Sequence, residues 1–203
     1  MCPKVTSQYK LDIRERIVRS AIDCFSKYGF DKSRMDDIAQ TANISKGTMY
    51  LYFKSKEDLF YAICENSLKV LKEQLSQLFA TTKENLLSDA EQLYDNLNKL
   101  ESSGSEKVFF EIVAESSRNP KLQRILYEQR TKIFDVVKDY LDLQVQKGFF
   151  GKDVDTYAIA SGLVALYDGL AVSKFLGIGE NLNKKAWVET VKAIITSSKP
   201  QRL

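Results

Sequence analysis

Histidine is absent from this 203-residue chain. Without it there is no Ser-His-Asp or Cys-His catalytic arrangement and no His-ligated metal site. Cysteine is scarce: Cys2, Cys24 and Cys64 are an odd number with no CxxC spacing. That disfavours a disulfide framework or a cysteine zinc site and points to reduced thiols, with Cys24 and Cys64 as small core residues. Only three prolines and nine glycines interrupt the chain, which favours long helices. The phosphate-cradling patterns GxGxxG and GxxxxGK[ST] and the nucleophile pattern GxSxG are also missing. The expectation is a protein that is not an enzyme and carries no cofactor or metal. The opening MCPKVTSQYK lacks the apolar run of a signal peptide, and no stretch is read as approaching a membrane span. A cytoplasmic protein with no membrane partner is expected.

What is present is a core-forming composition, with 44% hydrophobic and 28% charged residues. The net charge of +3 is small, yet it is unevenly placed. Residues 1–60 carry eleven Lys/Arg against eight Asp/Glu, and the remaining residues carry nineteen of each. The whole positive excess therefore lies at the N-terminal end, where it would attract a polyanion such as a duplex.

Apolar residues recur helically from Leu11 to Tyr28 as Ile13, Ile17, Ala21 and Phe25, with Cys24 and Tyr28 on the same side. Gly29 follows where a left-handed residue ends a helix. Ser33-Arg-Met-Asp36 has the pattern of a capping box opening a short second helix, with Ile38, Ala39 and Ala42 facing inward. Asn43 tolerates the positive φ of a tight turn, Ile44 plugs the core, and Ser45 caps a third helix, Lys46 to Phe53. Ser55 caps a fourth, Lys56 to about Phe79. Two short helices joined by a three- or four-residue turn and packed on a longer first one form a helix-turn-helix. Downstream, helices are expected over Asn85–Leu100, Glu106–Ser117, Pro120 to about Lys147, Asp153–Phe175 and Asn183–Ser197, with a polar break at Glu101–Ser105. No strand or internal repeat is evident, so the fold class is all-α.

The run Ile38-Ala-Gln-Thr-Ala-Asn-Ile-Ser-Lys-Gly-Thr-Met-Tyr-Leu-Tyr-Phe-Lys-Ser-Lys-Glu-Asp-Leu59 resembles the signature of the TetR family of transcriptional regulators. The Ala21-x-x-x-Phe25-x-x-x-Gly29-Phe30 spacing fits it, Tyr50 to Leu59 is its most specific part, and Asp168-Gly-Leu170 is similar to a late family helix. Asn43 departs from it, standing where the family usually has Gly. Asp36 departs too, at a position where members can place a DNA contact; it is read as a cap because its charge repels phosphate. The resemblance implies a DNA-binding domain over 1–60, with its motif at about 34–53, and a helical effector-binding and dimerisation domain over 61–203.

On the third helix, Lys46, Gly47, Tyr50 and Leu51 are the expected base-reading residues: Lys46 for guanine acceptors, Tyr50 and Leu51 for thymine methyls. Met49 and Phe53 read as core. Ser33, Arg34, Thr48, Tyr52 and Lys56 are the expected phosphate contacts. A homodimer on an inverted-repeat operator follows, because one module makes too few contacts for specificity. Ala158, Ala160, Ser161, Gly162, Ala165, Gly169 and Ala171, with Val164 and Leu166, join Ala186, Trp187, Val191, Ile194 and Ile195 to resemble the family's four-helix dimer interface. The implied effector pocket takes Phe109, Phe110, Ile112, Tyr127, Phe134 and Tyr167 as candidate lining. Such a lining suits a large apolar ligand; a fatty acyl-CoA is one candidate and a planar aromatic drug another. The expected function is a ligand-released repressor, the alternatives being an activator or an architectural DNA-binding protein without effector.

Overall fold

The computed structural model describes residues 6–78, 82–101 and 105–197. Among them are nine α-helices and no strand: α1 Ser7–Tyr28, α2 Met35–Thr41, α3 Lys46–Tyr52, α4 Lys56–Gln77, α5 Leu86–Glu101, α6 Ser105–Ser116, α7 Pro120–Gln146, α8 Thr156–Phe175 and α9 Glu180–Ser197. The expected all-α class is what forms. Cys2, Phe79 and the centre of the Glu101–Ser105 break lie outside the described residues.

Two compact units form, one from Met1–Ser67 with Ser103–Tyr127, the other from Leu68–Ser102 with Glu128–Leu203. The expected 1–60 segment thus packs in one unit with α6 and the start of α7. In this first unit, α1 begins one turn earlier than its apolar stripe, because the Thr6 side chain caps it by accepting from Tyr9 N–H at 3.2 Å. The stripe Ile13, Ile17, Ala21, Cys24 and Phe25 is buried, together with Ile38 and Ala39 of α2, Met49 of α3, Leu59 and Phe60 of α4, Ile112 of α6, and Leu122 and Ile125 of α7. Phe30 stands beside both Phe25 and Phe60, with ring centroids 5.0 and 6.5 Å away. Burying each large apolar side chain contributes about 1.5–3 kcal/mol, so this shared core, and not the short helices' own propensity, holds α2 and α3 in place.

The second unit has an aromatic centre in which Tyr94 stacks on Trp187 at 5.9 Å and Tyr167 meets both edge-on. Trp187 Nε1 donates to the Ala90 carbonyl at 2.8 Å, and Lys184 Nζ reaches Glu91 and Asp95, each at 2.9 Å, so α9 is pinned to α5. Those two carboxylates raise the Lys184 ammonium well above its ordinary value, Asp95 contributing most. Arg130 of α7 pairs with Asp168 of α8 at 2.8 Å.

One sequence expectation needs correction here. α8 has 20 residues and an 18-residue window of mean hydropathy 1.3, long and apolar enough to cross a membrane by length and composition. Its run is less obvious to the eye because glycine, alanine and serine carry it in place of leucine.

Candidate nucleic-acid interface

The turn between α1 and α2 fixes where the reading helix can go. Gly29 ends α1 at φ 83° and ψ 158°, so the expected positive φ is present but the conformation is extended, outside the left-handed helical region. The Ser33 hydroxyl donates to the carbonyls of Cys24 at 3.1 Å and Gly29 at 2.7 Å, and Ser33 is 2% exposed. Ser33 is therefore neither the cap of α2 nor a phosphate contact. Its hydroxyl is shared between these two carbonyls, and its own N–H also donates to Gly29 O at 3.2 Å. Arg34 occupies the N-cap position without a side-chain cap bond, and Asp36 and Asp37 in the first turn of α2 offset the helix dipole instead.

Asn43 takes φ 50°, letting its N–H reach Gln40 O and that of Ile44 reach Ala39 O, both at 3.0 Å. Ser45 then caps α3, accepting from Thr48 N–H at 3.1 Å. Met49 and Phe53 face the core, while Leu51 is 80% exposed, Lys46 and Gly47 lie at the surface, and Tyr50 is half-buried. A side chain at Gly47 would meet only Ser45 Oγ at 3.8 Å. Packing within the chain therefore does not require this helix-weakening glycine, which is consistent with close approach by something outside.

Lys46 Nζ pairs with Asp36 Oδ2 at 2.9 Å, and that hydrogen bond holds the ammonium above its ordinary value. The pair is exposed and so weakly held, leaving Lys46 able to exchange Asp36 for an acceptor on DNA. Asp36 is thus the ion-pair partner of Lys46, a contact the sequence reading missed. An open hollow between α2 and α3, about 430 Å³, is lined by Asp36, Gln40, Asn43, Ser45 and Lys46, among others.

Among the other expected phosphate contacts, Arg34 is exposed, Thr48 shares a hydrogen bond with Ser45 Oγ at 2.9 Å, and Tyr52 packs partly on the core. Lys56 is placed differently. Its Nζ donates to the carbonyls of Phe30 and Asp31, both at 2.7 Å, and lies 4.9 Å over the Phe30 ring. It latches the α1–α2 turn, which leaves one N–H for any phosphate. Lys56→Ala is expected to lower stability by about 1 kcal/mol in urea denaturation while changing the salt slope of DNA binding by well under one unit. A full-unit drop in that slope with unchanged stability would restore the phosphate role.

Helices α6 and α7 grip the same region. Glu111 Oε2 accepts from Phe30 N–H at 3.0 Å, Lys121 Nζ reaches Ser55 Oγ and Asp58 Oδ1 at 2.9 Å each, and Asn119 Nδ2 donates to Glu57 Oε1 at 3.1 Å. Burial pushes the Asp58 carboxyl up, but Lys121 and Ser55 more than offset it, so the net shift is downward. This contact therefore stabilises the fold above the ordinary carboxylate range and weakens as pH falls through it. No sequence signal links Glu111 to Phe30, 81 positions away.

The comparisons decide what this geometry belongs to. Residues 17–63 match the family described as "Bacterial regulatory proteins, tetR family", and residues 91–198 match "BetI-type transcriptional repressor, C-terminal". The chain belongs to the TetR family of transcriptional regulators. The HTH-type transcriptional regulator UidR of Escherichia coli K12 is 29% identical over 161 residues, spanning 77% of this chain and 79% of that one. The uncharacterized HTH-type transcriptional regulator YvdT of Bacillus subtilis is 43% identical over 61 residues, about 30% of each chain. Among solved structures, Salmonella enterica GusR superposes with a TM-score of 0.78 at 25% identity, covering 96% of this chain and 97% of that one. Both sequence relatives are described as HTH-type transcriptional regulators.

Within this TetR-family chain four of the six expected pocket residues belong to the first unit and two to the second. Ile112 is fully buried in the core of the first unit, Phe109 and Phe110 form an edge-on pair at 5.8 Å, and Tyr127 is 70% exposed. In the second unit Phe134 meets Tyr157 edge-on at 5.9 Å, and Tyr167 belongs to the Tyr94–Trp187 cluster. Of these, Ile112 packs into a core and Tyr127 is exposed.

The expected dimer residues also divide. Ala158, Gly162, Ala165 and Gly169 are exposed along one face of α8, with Ser161 beside them. Trp187 and Val191 are buried inside the unit, and Ile195 packs against both of its core clusters. Those three α9 residues are taken up by intramolecular packing, Trp187 and Val191 with Tyr94 of α5 and Leu170 of α8, and Ile195 also with Leu141, Phe150 and Ala160. Ile194 is half-buried.

Proposed function

We propose that this regulator is a homodimeric repressor that reads an inverted-repeat operator with α3 and is released by a small-molecule effector. The observation that carries the reading role is α3 itself: a Ser45-capped helix anchored by Met49, with Lys46, Gly47, Tyr50 and Leu51 on or near its outer side. A repressor is supported by the description of the family matched over residues 91–198.

Dimerisation is supported by α8. Ala158, Gly162, Ala165, Gly169, Val172 and Leu176 repeat at alternating steps of four and three, and all are exposed. That is the seam spacing of two packed helices, apolar and small enough for close approach. It also accounts for a helix that is apolar on nearly every side yet has only 17% of its apolar window buried. With one face in the core and the other against a second copy, the protein needs no membrane, in keeping with a cytoplasmic regulator.

Release requires that effector and DNA favour different arrangements of the dimer. Glu111, Asn119 and Lys121 bind the α1–α2 turn and the start of α4, so movement of α6 or α7 would shift the base on which α3 rests. The effector class expected from the sequence is large and apolar, such as a fatty acyl-CoA; of its expected lining, Ile112 and Tyr167 are taken up by packing within their own units.

Two substitutions separate the roles on DNA. Arg34→Ala is expected to weaken binding to all duplexes alike and to reduce the salt slope by about one unit. Tyr50→Ala is expected to cost about 1–3 kcal/mol on the preferred sequence and to alter which sequence is preferred. Fluorescence anisotropy on selected and random duplexes reads both. Equal losses on both duplexes for both variants would remove the assignment.

A further inference from the structure

Asp36 and Lys46 are ten positions apart, one in the first turn of α2 and the other opening α3. The turn at Asn43 brings their charges to 2.9 Å, and both side chains stay open to solvent, 42% for Asp36 and 66% for Lys46. They line the hollow between the two helices. The neighbouring Gly47 leaves the approach to them clear, since only Ser45 Oγ lies within 4 Å of where its Cβ would stand. A carboxylate on a surface that meets a polyanion is costly unless a cation neutralises it. Lys46 does so here, and Arg34, whose charge also reaches Lys46, is left for phosphate.

The hydrogen-bonding capacity that the pair retains is specific. An ammonium has three N–H groups and Asp36 takes one, so two are left to donate and Lys46 need not give up Asp36 to bind DNA. The carboxylate keeps Oδ1 to accept. Donor and acceptor thus stand side by side, 2.9 Å apart. In the major groove a G·C pair presents the complementary array. Guanine N7 and O6 accept, and cytosine N4 donates from about 2.9 Å beyond O6, the length of the hydrogen bond that joins them. A T·A pair offers O4 and then the adenine N6 donor in the same order, but has a methyl where guanine has N7, so one ammonium N–H goes unmet. C·G and A·T reverse the order and set donor against donor and acceptor against acceptor.

We propose that Asp36 and Lys46 act together as the reader of one G·C base pair in each half-site, Lys46 donating to guanine O6 and N7 and Asp36 accepting from cytosine N4. Asp36 thereby determines specificity, because it holds the lysine to guanine on one strand. The proposal rests on the regulator reading above, in which α3 enters the major groove.

The test selects duplexes from a random library with the full-length protein, then measures affinities for the selected duplex and its single-pair replacements by fluorescence anisotropy. Wild type is expected to enrich one G·C pair per half-site and to lose about 10-fold or more in affinity when that pair becomes C·G. Asp36→Ala is expected to bring C·G within about 3-fold of G·C, because an untethered lysine reaches guanine on either strand. Lys46→Ala is expected to weaken binding to every duplex, and the double variant to bind no worse than Lys46→Ala, since its carboxylate no longer faces DNA unpaired. Urea denaturation is expected to show all variants folded: an exposed pair holds little, and Asp37 still offsets the α2 dipole. If Asp36→Ala keeps the wild-type ratio between G·C and C·G, the pair only staples α2 to α3 and the proposal falls. A sequence preference that Tyr50→Ala alters would then leave α3 standing as the reading helix. If the wild type enriches no sequence, the regulator reading falls and this inference with it.

Discussion

Gly29→Ala is expected to destabilise the DNA-reading unit by about 3 kcal/mol, with most of the loss arising from one backbone angle. At φ 83° and ψ 158°, Gly29 occupies a region essentially restricted to glycine, and an alanine held there would be strained by about 1–3 kcal/mol. A second effect compounds the first. The new Cβ would stand 2.9 Å from Glu111 Oε2, which is closer than real Cβ atoms approach an oxygen. Glu111 is flexible and can swing away, but doing so abandons its hydrogen bond from Phe30 N–H. A charge-assisted bond of this kind contributes about 1–2 kcal/mol.

The two effects are separable by a double-mutant cycle in urea. Glu111→Ala alone is expected to cost about 1–2 kcal/mol, and almost nothing when added to Gly29→Ala, because the alanine has already displaced the carboxylate. Phe30 carries the link further, since its carbonyl accepts from Lys56 at 2.7 Å and its ring packs on Phe25 and Phe60. Both variants should therefore weaken DNA binding without touching any DNA-facing residue. Additive losses, or a Gly29→Ala cost below about 1 kcal/mol, would show that the turn tolerates a side chain.

The reading head was legible in the sequence wherever the determinant was local. Ser45, Asn43 and the periodic Met49 and Phe53 act within one or two turns of their own positions, and each does what its residue type and spacing imply. The same reasoning failed at Ser33, where a capping-box pattern was present but the hydroxyl found carbonyls behind it instead of amides ahead. Lys56 failed for a related reason: a lysine at a helix start suits a phosphate equally well as two loop carbonyls, and only the fold supplies the carbonyls. In the second unit the difficulty was one of choice. Periodicity identified apolar faces on α8 and α9, yet a stripe does not say what covers it. Trp187 and Val191 are covered by their own chain, while Ala158, Gly162 and Ala165 remain exposed. Aromatic residues such as Tyr167 were equally compatible with a cavity and with the packed cluster they form.

That exposed stripe yields the other large expected effect: Gly162→Arg should convert the proposed dimer to a monomer and remove specific operator binding while leaving the protomer folded. The discriminating fact is that, among the described residues and beyond its own helical turn, a Cβ at Gly162 meets nothing within 4 Å, and the same holds at Gly169. Nothing inside the protomer therefore resists a larger side chain. Exchanging a helical glycine for arginine should even favour the helix by about 0.5–1 kcal/mol. Against a second copy the same arginine would insert a long cationic side chain into a close apolar contact, leaving a desolvated charge without a partner. Helix content by circular dichroism should be unchanged, while sedimentation at micromolar concentration should shift from dimer to monomer. Affinity for an inverted-repeat duplex should fall by about 100-fold or more, because the second half-site no longer binds as part of one molecule, and binding to random DNA should fall far less. Gly169→Arg should reproduce the result one heptad along. If both variants remain dimeric, the small-residue face of α8 is not the seam, and the second copy binds elsewhere.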